Sequence, residues 1–342
     1  MQSRMSKRPT IIDIARAAGV SKSTVSRVIS GNGKHVSDEN RQRVLAAVET
    51  LGYIRDSVAS GMRTQRTNTI MLVIPDITNP FWPEVARGVQ DVMMKAEIAV
   101  VLANSDWNAD QEARFTETLI SNRLDGLIIN PIFVTQQDLH ACSVPTVILG
   151  SRPYGQFDRV GSDSRACVRM ALSHLISLGH RRIGLILGQR EGNYRRTWLQ
   201  MGLEILQEAQ LLPTDEYIFT VPFRQQAGKS AMTQLMMLPQ PPTAVFCQND
   251  LLAIGAIEAA RNLNIDVPEQ VSIIGIDDIF AASTTMPALT TIAKQKYVIG
   301  VKAANMLLER LQADEQPPAR QILLPGELQV RKSTGPLPAS PT

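Results

Sequence analysis

The sequence predicts a small all-α N-terminal unit followed by a larger α/β core built on doubly wound parallel sheet. Three observations carry that expectation. Apolar residues between positions 10 and 52 recur at helical spacing, with no strand-like run among them. From Thr69 onward, short continuous apolar runs alternate with helical stretches of 10 to 15 residues. Basic charge is concentrated at the start of the chain: residues 1–66 hold 12 Lys and Arg against 5 Asp and Glu, whereas the remainder holds 23 against 27.

The chain of 342 residues is long enough for two or three domains with cores of their own. Its 44% hydrophobic and 20% charged content is ordinary for a globular protein. No apolar run reaches the roughly 18–20 residues that a membrane span needs. The opening MQSRMSKRPT leads into an amphipathic segment rather than an apolar signal core. Cys142, Cys167 and Cys247 are isolated, which favours reduced, buried thiols over a disulfide framework or a zinc site. A cytoplasmic protein without membrane partners is expected. The basic excess suits phosphate neutralisation, although a solvated basic surface would look the same.

Within the first unit, Thr10 is placed to cap a helix whose stripe is Ile11, Ile14, Ala15 and Ala18, and Gly19 ends it. Ser21 caps a second helix with Val25, Val28 and Ile29 on its inner face. Ser37 caps a third, carrying Val44, Leu45, Val48 and Leu51. Ala15 is small where the first two helices cross, and the Gly19–Val20 turn is short. The trio reads as a helix-turn-helix with a supporting helix, against the plainer alternative of a small polar-faced bundle. Lys22, Ser23, Ser26 and Arg27 form the outer face of the second helix, where hydroxyl and basic side chains can meet base edges and phosphates.

In the second regime the predicted strands are IMLVIP, AVVLAN, GLIINP, TVILG, RIGLILG, TAVFCQN and SIIGIDD. Helices are expected at about 83–96, 110–122, 164–178, 194–209, 251–263 and 298–311, then one short strand, QILLPGELQV, and a Pro-rich tail.

The run TIIDIARAAGVSKSTVSRVISGNGKHVSDENRQRVLAAVETLGY, from Thr10 to Tyr53, closely resembles the lactose/galactose repressor (LacI/GalR) family. The likeness continues in IPDITNPF, DGLII, GHRRIGLI, TAVFCQNDLLAIGA, VPEQVSIIGIDD and ILLPGELQVRKST, and so covers residues 10 to about 334. It implies a helix-turn-helix headpiece at 9–55, a hinge helix and linker at 56–67, and a periplasmic-binding-protein-like core at 68–334. That core would comprise an N-subdomain (about 68–164 and 292–321) and a C-subdomain (about 165–291 and 322–334), both doubly wound, before a disordered tail at 335–342. It further implies base reading by Lys22, Ser23 and Arg27, within a DNA-binding set of Thr10, Ser21, Thr24, Ser26, Asn32, Val58, Ala59 and Met62. Met62 stands where the family usually has a minor-groove leucine wedge, and Asp56 where it usually has Asn.

Two doubly wound halves place a ligand outside the carboxyl ends of their strands. The candidates there are Asn79, Phe81, Trp82, Ser105, Asp106, Phe133 and Arg152 from one half, and Arg195, Arg196, Asn249 and Asp277 from the other. Asp250 is read chiefly as the cap of a helix beginning at Leu251. By resemblance, the family often has an acidic residue at Ser151 and a cation at Leu199, for which Arg195 or Arg196 can substitute.

No GxxxxGK, HExxH or GxSxG motif occurs, and the four histidines are scattered, with His180 in an element that looks structural. No cofactor is expected. A ligand-controlled transcription factor, expected to be a repressor, therefore stands ahead of a transport-type sugar-binding protein and of a Rossmann-like enzyme. Its expected partners are near-palindromic operator DNA, a small effector and a second copy of itself; the tail lacks the leucine heptads of a tetramer tether. If the hinge wedges the minor groove, Met62→Ala will weaken operator binding far more than binding to random duplex; equal losses in a fluorescence-anisotropy titration would refute the wedge.

Overall fold

The computed structural model describes residues 9–29, 36–53, 66–188, 193–211 and 214–337, excluding the side chains of residues 193–196. The chain divides into two compact units, 1–67 and 68–342.

In the first unit, α1 (Ile11–Ala18), α2 (Lys22–Ile29) and α3 (Asp38–Leu51) enclose a small core of Ile14, Ala18, Val25, Val28, Val44 and Ala47. Thr10 and Asp13 cap α1 reciprocally: Thr10 N donates to Asp13 Oδ2 at 2.8 Å, and Asp13 N to Thr10 Oγ1. Gly19, at φ 62°, supplies the left-handed turn that ends α1. Ser21 Oγ accepts from Thr24 N at 3.1 Å, and Ser37 Oγ from Asn40 N, so the expected caps are present. Two expected core residues are not inside: Leu45 and Leu51 of α3 are exposed, and Ala47 takes the buried position instead. A helix turned toward two short partners buries only a narrow stripe.

The second unit contains two six-stranded sheets with matching strand order. The first runs β11-β5-β4-β3-β1-β2, from β1 (Thr69–Ile74), β2 (Ala99–Asn104), β3 (Gly126–Ile129), β4 (Thr146–Leu149), β5 (Asp158–Ser162) and β11 (Gln321–Leu324). The second runs β12-β10-β9-β8-β6-β7, from β6 (Ile183–Gly188), β7 (Ile218–Val221), β8 (Ala244–Cys247), β9 (Ser272–Asp277), β10 (Thr290–Ala293) and β12 (Glu327–Gln329). Every pairing is parallel except β10 with β12. Alternate residues of β1 show why the strand is apolar throughout. Ile70, Leu72 and Ile74 pack on one face, and Met71 and Val73 pack on the other.

Helices cover both faces. In each half, the tightest helix pair crosses at two glycines. A Cβ on Gly300 of α11 (Lys296–Gln312) would lie 2.0 Å from Val85 O of α4 (Phe81–Lys95). One on Gly255 of α10 (Asp250–Asn262) would lie 2.0 Å from Gln225 O at the start of α9 (Gln225–Met236). Only glycine permits backbones to approach so closely.

The chain crosses between halves three times: at Asp163, at Lys294–Gln295 and at Pro325–Gly326. The expected boundaries at 292 and 322 are therefore corrected. Thr290–Ala293 belongs to the second sheet, and Ile322–Leu324 completes the edge of the first, beside β5. The single strand expected at QILLPGELQV is two strands, because Pro325–Gly326 interrupts it as the chain changes sheets. The tail also departs from expectation as far as Leu337, whose N–H donates to Leu178 O at 2.8 Å. Buried Ser333 donates to Ile273 O, and buried His180 bonds Thr243, Ser272 and Gly335 O. Residues 338–342 lie outside the described residues.

Strand β5 escaped the sequence because it begins with charge. Asp158 is fully buried, yet accepts from Arg310 Nε at 2.7 Å and from Arg320 N at 2.7 Å. Burial alone would raise its carboxyl, but these hydrogen bonds and the two guanidinium charges outweigh it and hold the pKa below the usual carboxylate value. Removing one member strands the other in a dry site, so Asp158→Ala is expected to cost about 3–5 kcal/mol in urea unfolding. A loss under about 1 kcal/mol would show that the pair does not secure β5.

Candidate functional site

On α2 the side chains of Lys22, Ser23 and Arg27 are exposed, and Ser26 is partly so, one turn apart along the outer face. Val25 and Val28, on the opposite face, anchor the helix to α1 and α3. Ser21 Oγ lies 2.8 Å from Ser23 Oγ and from Thr24 Oγ1, so the hydroxyls at the helix start form one hydrogen-bonded cluster. Thr10 Oγ1 is likewise engaged with Asp13. Thr10 and Ser21 therefore stand at helix N-termini, whose backbone N–H groups favour phosphate. Asn32, Val58, Ala59 and Met62 lie outside the described residues.

The second unit has a cleft at the carboxyl ends of both sheets. Of the residues expected there, Asn79, Phe81, Trp82, Asn249 and Asp277 line it. Phe81 and Trp82 meet edge to face at 4.9 Å, at the start of α4. Ser105 and Asp106 do not line it. Ser105 is buried beneath the end of β2, its N–H bonded to Ile74 O, and Asp106 faces solvent beside Asn104. The next residue, Trp107, reaches the cleft in their place. Phe133 and Arg152 line an adjoining cavity, which shares Asn130, Leu149 and Gly150 with the cleft. Glu112 fixes its wall by accepting from Ile132 N and Phe133 N at 2.8 Å each. The side chains of Arg195 and Arg196 lie outside the described residues.

Several lining residues were not anticipated: Trp107, Asn130, Trp198, Phe223, Gln248 and Lys294. Asn130 and Gln248 sit at the ends of two legible strands and could have been found there. Phe223 and Lys294 follow β7 and β10, which carry no clear strand signal. Trp107 and Phe223 come from opposite halves and stack at 5.1 Å, with 17° between their planes.

Asp277, at the end of β9, has φ 124° and is buried. Lys294 Nζ lies 3.0 Å from Asp277 Oδ1 and sits over the rings of Phe81 and Trp198, at 5.4 and 5.7 Å from their centroids. Behind it, Asp250 is not the expected cap. Asn249 caps α10 by accepting from Leu252 N at 3.0 Å, one residue earlier. Asp250 instead lies fully buried, accepting from Ile279 N at 2.9 Å and from Thr291 Oγ1. Its pKa is pushed up to about 7, first by burial and then by the Asp277 charge, against those two hydrogen bonds.

Comparison with known proteins follows the same division. Residues 10–56 match the family described as bacterial regulatory proteins, lacI family, and residues 172–334 match the periplasmic binding protein-like domain. Catabolite control protein A of Priestia megaterium is 32% identical over 330 residues, spanning 95% of this chain and 99% of that protein. The HTH-type transcriptional repressor CytR of Escherichia coli (strain K12) is 32% identical over 335 residues, spanning 96% and 97%. The crystal structure of the lac repressor dimer bound to operator and the anti-inducer ONPF is similar with a TM-score of 0.84 at 26% identity, covering 96% of this chain and 100% of that one.

A raised carboxylate pKa stabilises the fold at acid pH. The unfolded Asp250 releases its proton near pH 4 and the folded one near pH 7, so stability falls as pH rises between those values. Asp250→Asn keeps the shape and one acceptor oxygen for Ile279 N–H, while its NH2 can only donate toward Thr291 Oγ1. It should remove a slope of at most about 1.4 kcal/mol per pH unit from urea-unfolding profiles over that window. An unchanged slope would show that Asp250 is ionised throughout.

Proposed function

Since the chain belongs to the LacI family of bacterial regulatory proteins, we propose that it acts as a cytoplasmic repressor, with a metabolite in the Asp277 cleft setting its affinity for operator DNA. The chain is a DNA-binding transcriptional regulator with a small-molecule effector; the observation carrying the finer reading is the cleft between the two halves, joined by three short crossings. Catalysis is not part of this reading. Asn249 caps a helix and Asp277 pairs with Lys294, and no group of three or more potential metal ligands occurs among the described residues. No helix among the described residues is long and apolar enough to cross a membrane.

Lys22, Ser23 and Arg27 read base edges in the major groove, with Thr24 and Ser26 beside them. Thr10 and Ser21 hold phosphates at helix N-termini. Asn32, Val58, Ala59 and Met62 complete the set by resemblance, the last three in a hinge that meets the minor groove. Two copies present two headpieces to a near-palindrome, as in the lac repressor dimer bound to operator. The first strand of the core begins at Thr69, directly after that hinge, so closure of the cleft is passed on along a short length of chain. Moving a site from mostly bound to mostly free needs a differential affinity of about 5 kcal/mol between the two states.

The effector, a sugar, sugar acid or related compound, lies against Asn79, Phe81, Trp82, Asn249 and Asp277; Phe133 and Arg152 extend the site into the adjoining cavity, and Arg195 or Arg196 adds a cation. Arg27→Ala should weaken operator binding by about 1–3 kcal/mol while lowering random-duplex binding only slightly. Anisotropy titrations on both duplexes, at two salt concentrations and with candidate metabolites, test this. A protein with no preference for any near-palindrome would refute the reading.

A further inference from the structure

The matching strand order of the two sheets puts the three crossings at one end of the core and free edge strands at the other. Each crossing leaves β5, β10 or β11, which with β12 stand at one end of their sheets. At the opposite end, β2 is the last strand of the first sheet and β7 the last strand of the second. Four strand spacings separate β2 from β5 and β7 from β10, so at about 4.8 Å each the free edges lie roughly 19 Å from the crossings.

One aromatic contact joins those free edges. The chain leaves β2 through Asp106 and Trp107, both at positive φ (49° and 57°). Asn108 then caps α5 (Ala109–Ser121) by accepting from Gln111 N at 2.9 Å. This turn, a conformation that residues with side chains rarely adopt, carries the half-buried indole of Trp107 to Phe223, just after β7. Among the described residues, Trp107 is the one apolar side chain of the first half that packs against the core of the second. Phe223 is seated as well: a Cβ on Gly188, at the end of β6, would overlap the far edge of its ring. With the rings stacked, the cleft keeps about 100 Å³ of free space, against about 280 Å³ in the adjoining cavity. Sites for small organic ligands commonly enclose roughly 300–1,000 Å³, so the halves stand close.

We infer that the Trp107–Phe223 stack is a latch, closing the two halves on each other through the chain's own side chains at the edges farthest from the crossings. A metabolite entering the cleft has to part it. Stacked rings attract only at contact, and a contact so far from the crossings is lost on a small rotation about them. Opening is therefore a switch between two arrangements rather than a graded motion. Resting on the regulator reading above, the latch also sets how much of the protein holds each operator-binding form before any metabolite arrives.

Nitroxide labels on Asp110→Cys and Gln226→Cys, both exposed beside the two edges, report opening by pulsed electron-spin resonance; the three native cysteines are buried. In the full chain without metabolite, Trp107→Ala and the milder Phe223→Leu should each add a population at longer distance. The double variant should open no further than the larger single. Thermal melts confirm the fold, and Trp107→Ala, at the half-buried ring, decides alone if Phe223→Leu melts early. Unchanged distances in the folded single variants, or openings that add in the double, overturn the latch. In anisotropy titrations of the unlabelled proteins, both single variants should shift operator affinity in one direction by about threefold or more. Longer distances with wild-type operator affinity overturn the role assigned to the latch in setting that affinity. A parent protein that prefers no near-palindrome would instead sink the regulator reading, while the label distances still decide the latch.

Discussion

The ammonium of Lys296 joins the two halves of the core beside the cleft. It stands in the first turn of α11, which packs on the first sheet, and is almost wholly buried. From there it donates to Asp277 O at 2.9 Å and Asp278 O at 2.7 Å, both at the end of β9 in the second sheet, and it lies 3.4 Å from Glu84 of α4. Asp277 and Asp278 have φ of 124° and 52°, conformations that cost a non-glycine residue of order 1–3 kcal/mol each. Lys296 offsets that cost on the carbonyl side, and Arg331 does so through Asp278 Oδ1 at 2.7 Å. Strain at the carboxyl end of β9 is thus opposed by charge from the first half of the core.

Around that fastening, polar groups are spent economically. Asp250 secures the turn after β9 and the Thr291 hydroxyl of β10; Asn249 caps a helix with one end and faces the cleft with the other. Gly275 fits this arrangement because a Cβ there would lie 2.3 Å from Asp250 Oδ1. The buried carboxylate thus excludes side chains as well as placing them.

Much of this was legible in the sequence, and the illegible part has a physical pattern. Strands buried on both faces announced themselves as apolar runs, and helix starts were visible in Thr10, Ser21 and Ser37. The elements missed have their stability supplied from elsewhere. Strand β5 depends on Arg310 for its buried Asp158, and β11 and β12 are separated by Pro325–Gly326 within what reads as one run. Candidate site residues drawn from strand ends line the cleft where they stand just before a helix start, as at Asn79 and Asn249. They were displaced where it first makes a tight turn. After β2, Asp106 and Trp107 both take positive φ, and the indole rather than Ser105 or Asp106 enters the cleft. Helix caps and apolar periodicity, with the local basic charge, marked the headpiece, but pairing between halves, such as Lys294 with Asp277, depends on contacts that no local pattern encodes.

The distribution of tryptophan has an optical consequence. The chain has three, Trp82, Trp107 and Trp198, and all three line the cleft, whereas residues 1–67 contain none. Intrinsic indole emission from this protein therefore originates wholly at the cleft. Occupancy of the cleft can be followed in this channel without a label, and separately from operator binding, which a dye on the duplex reports.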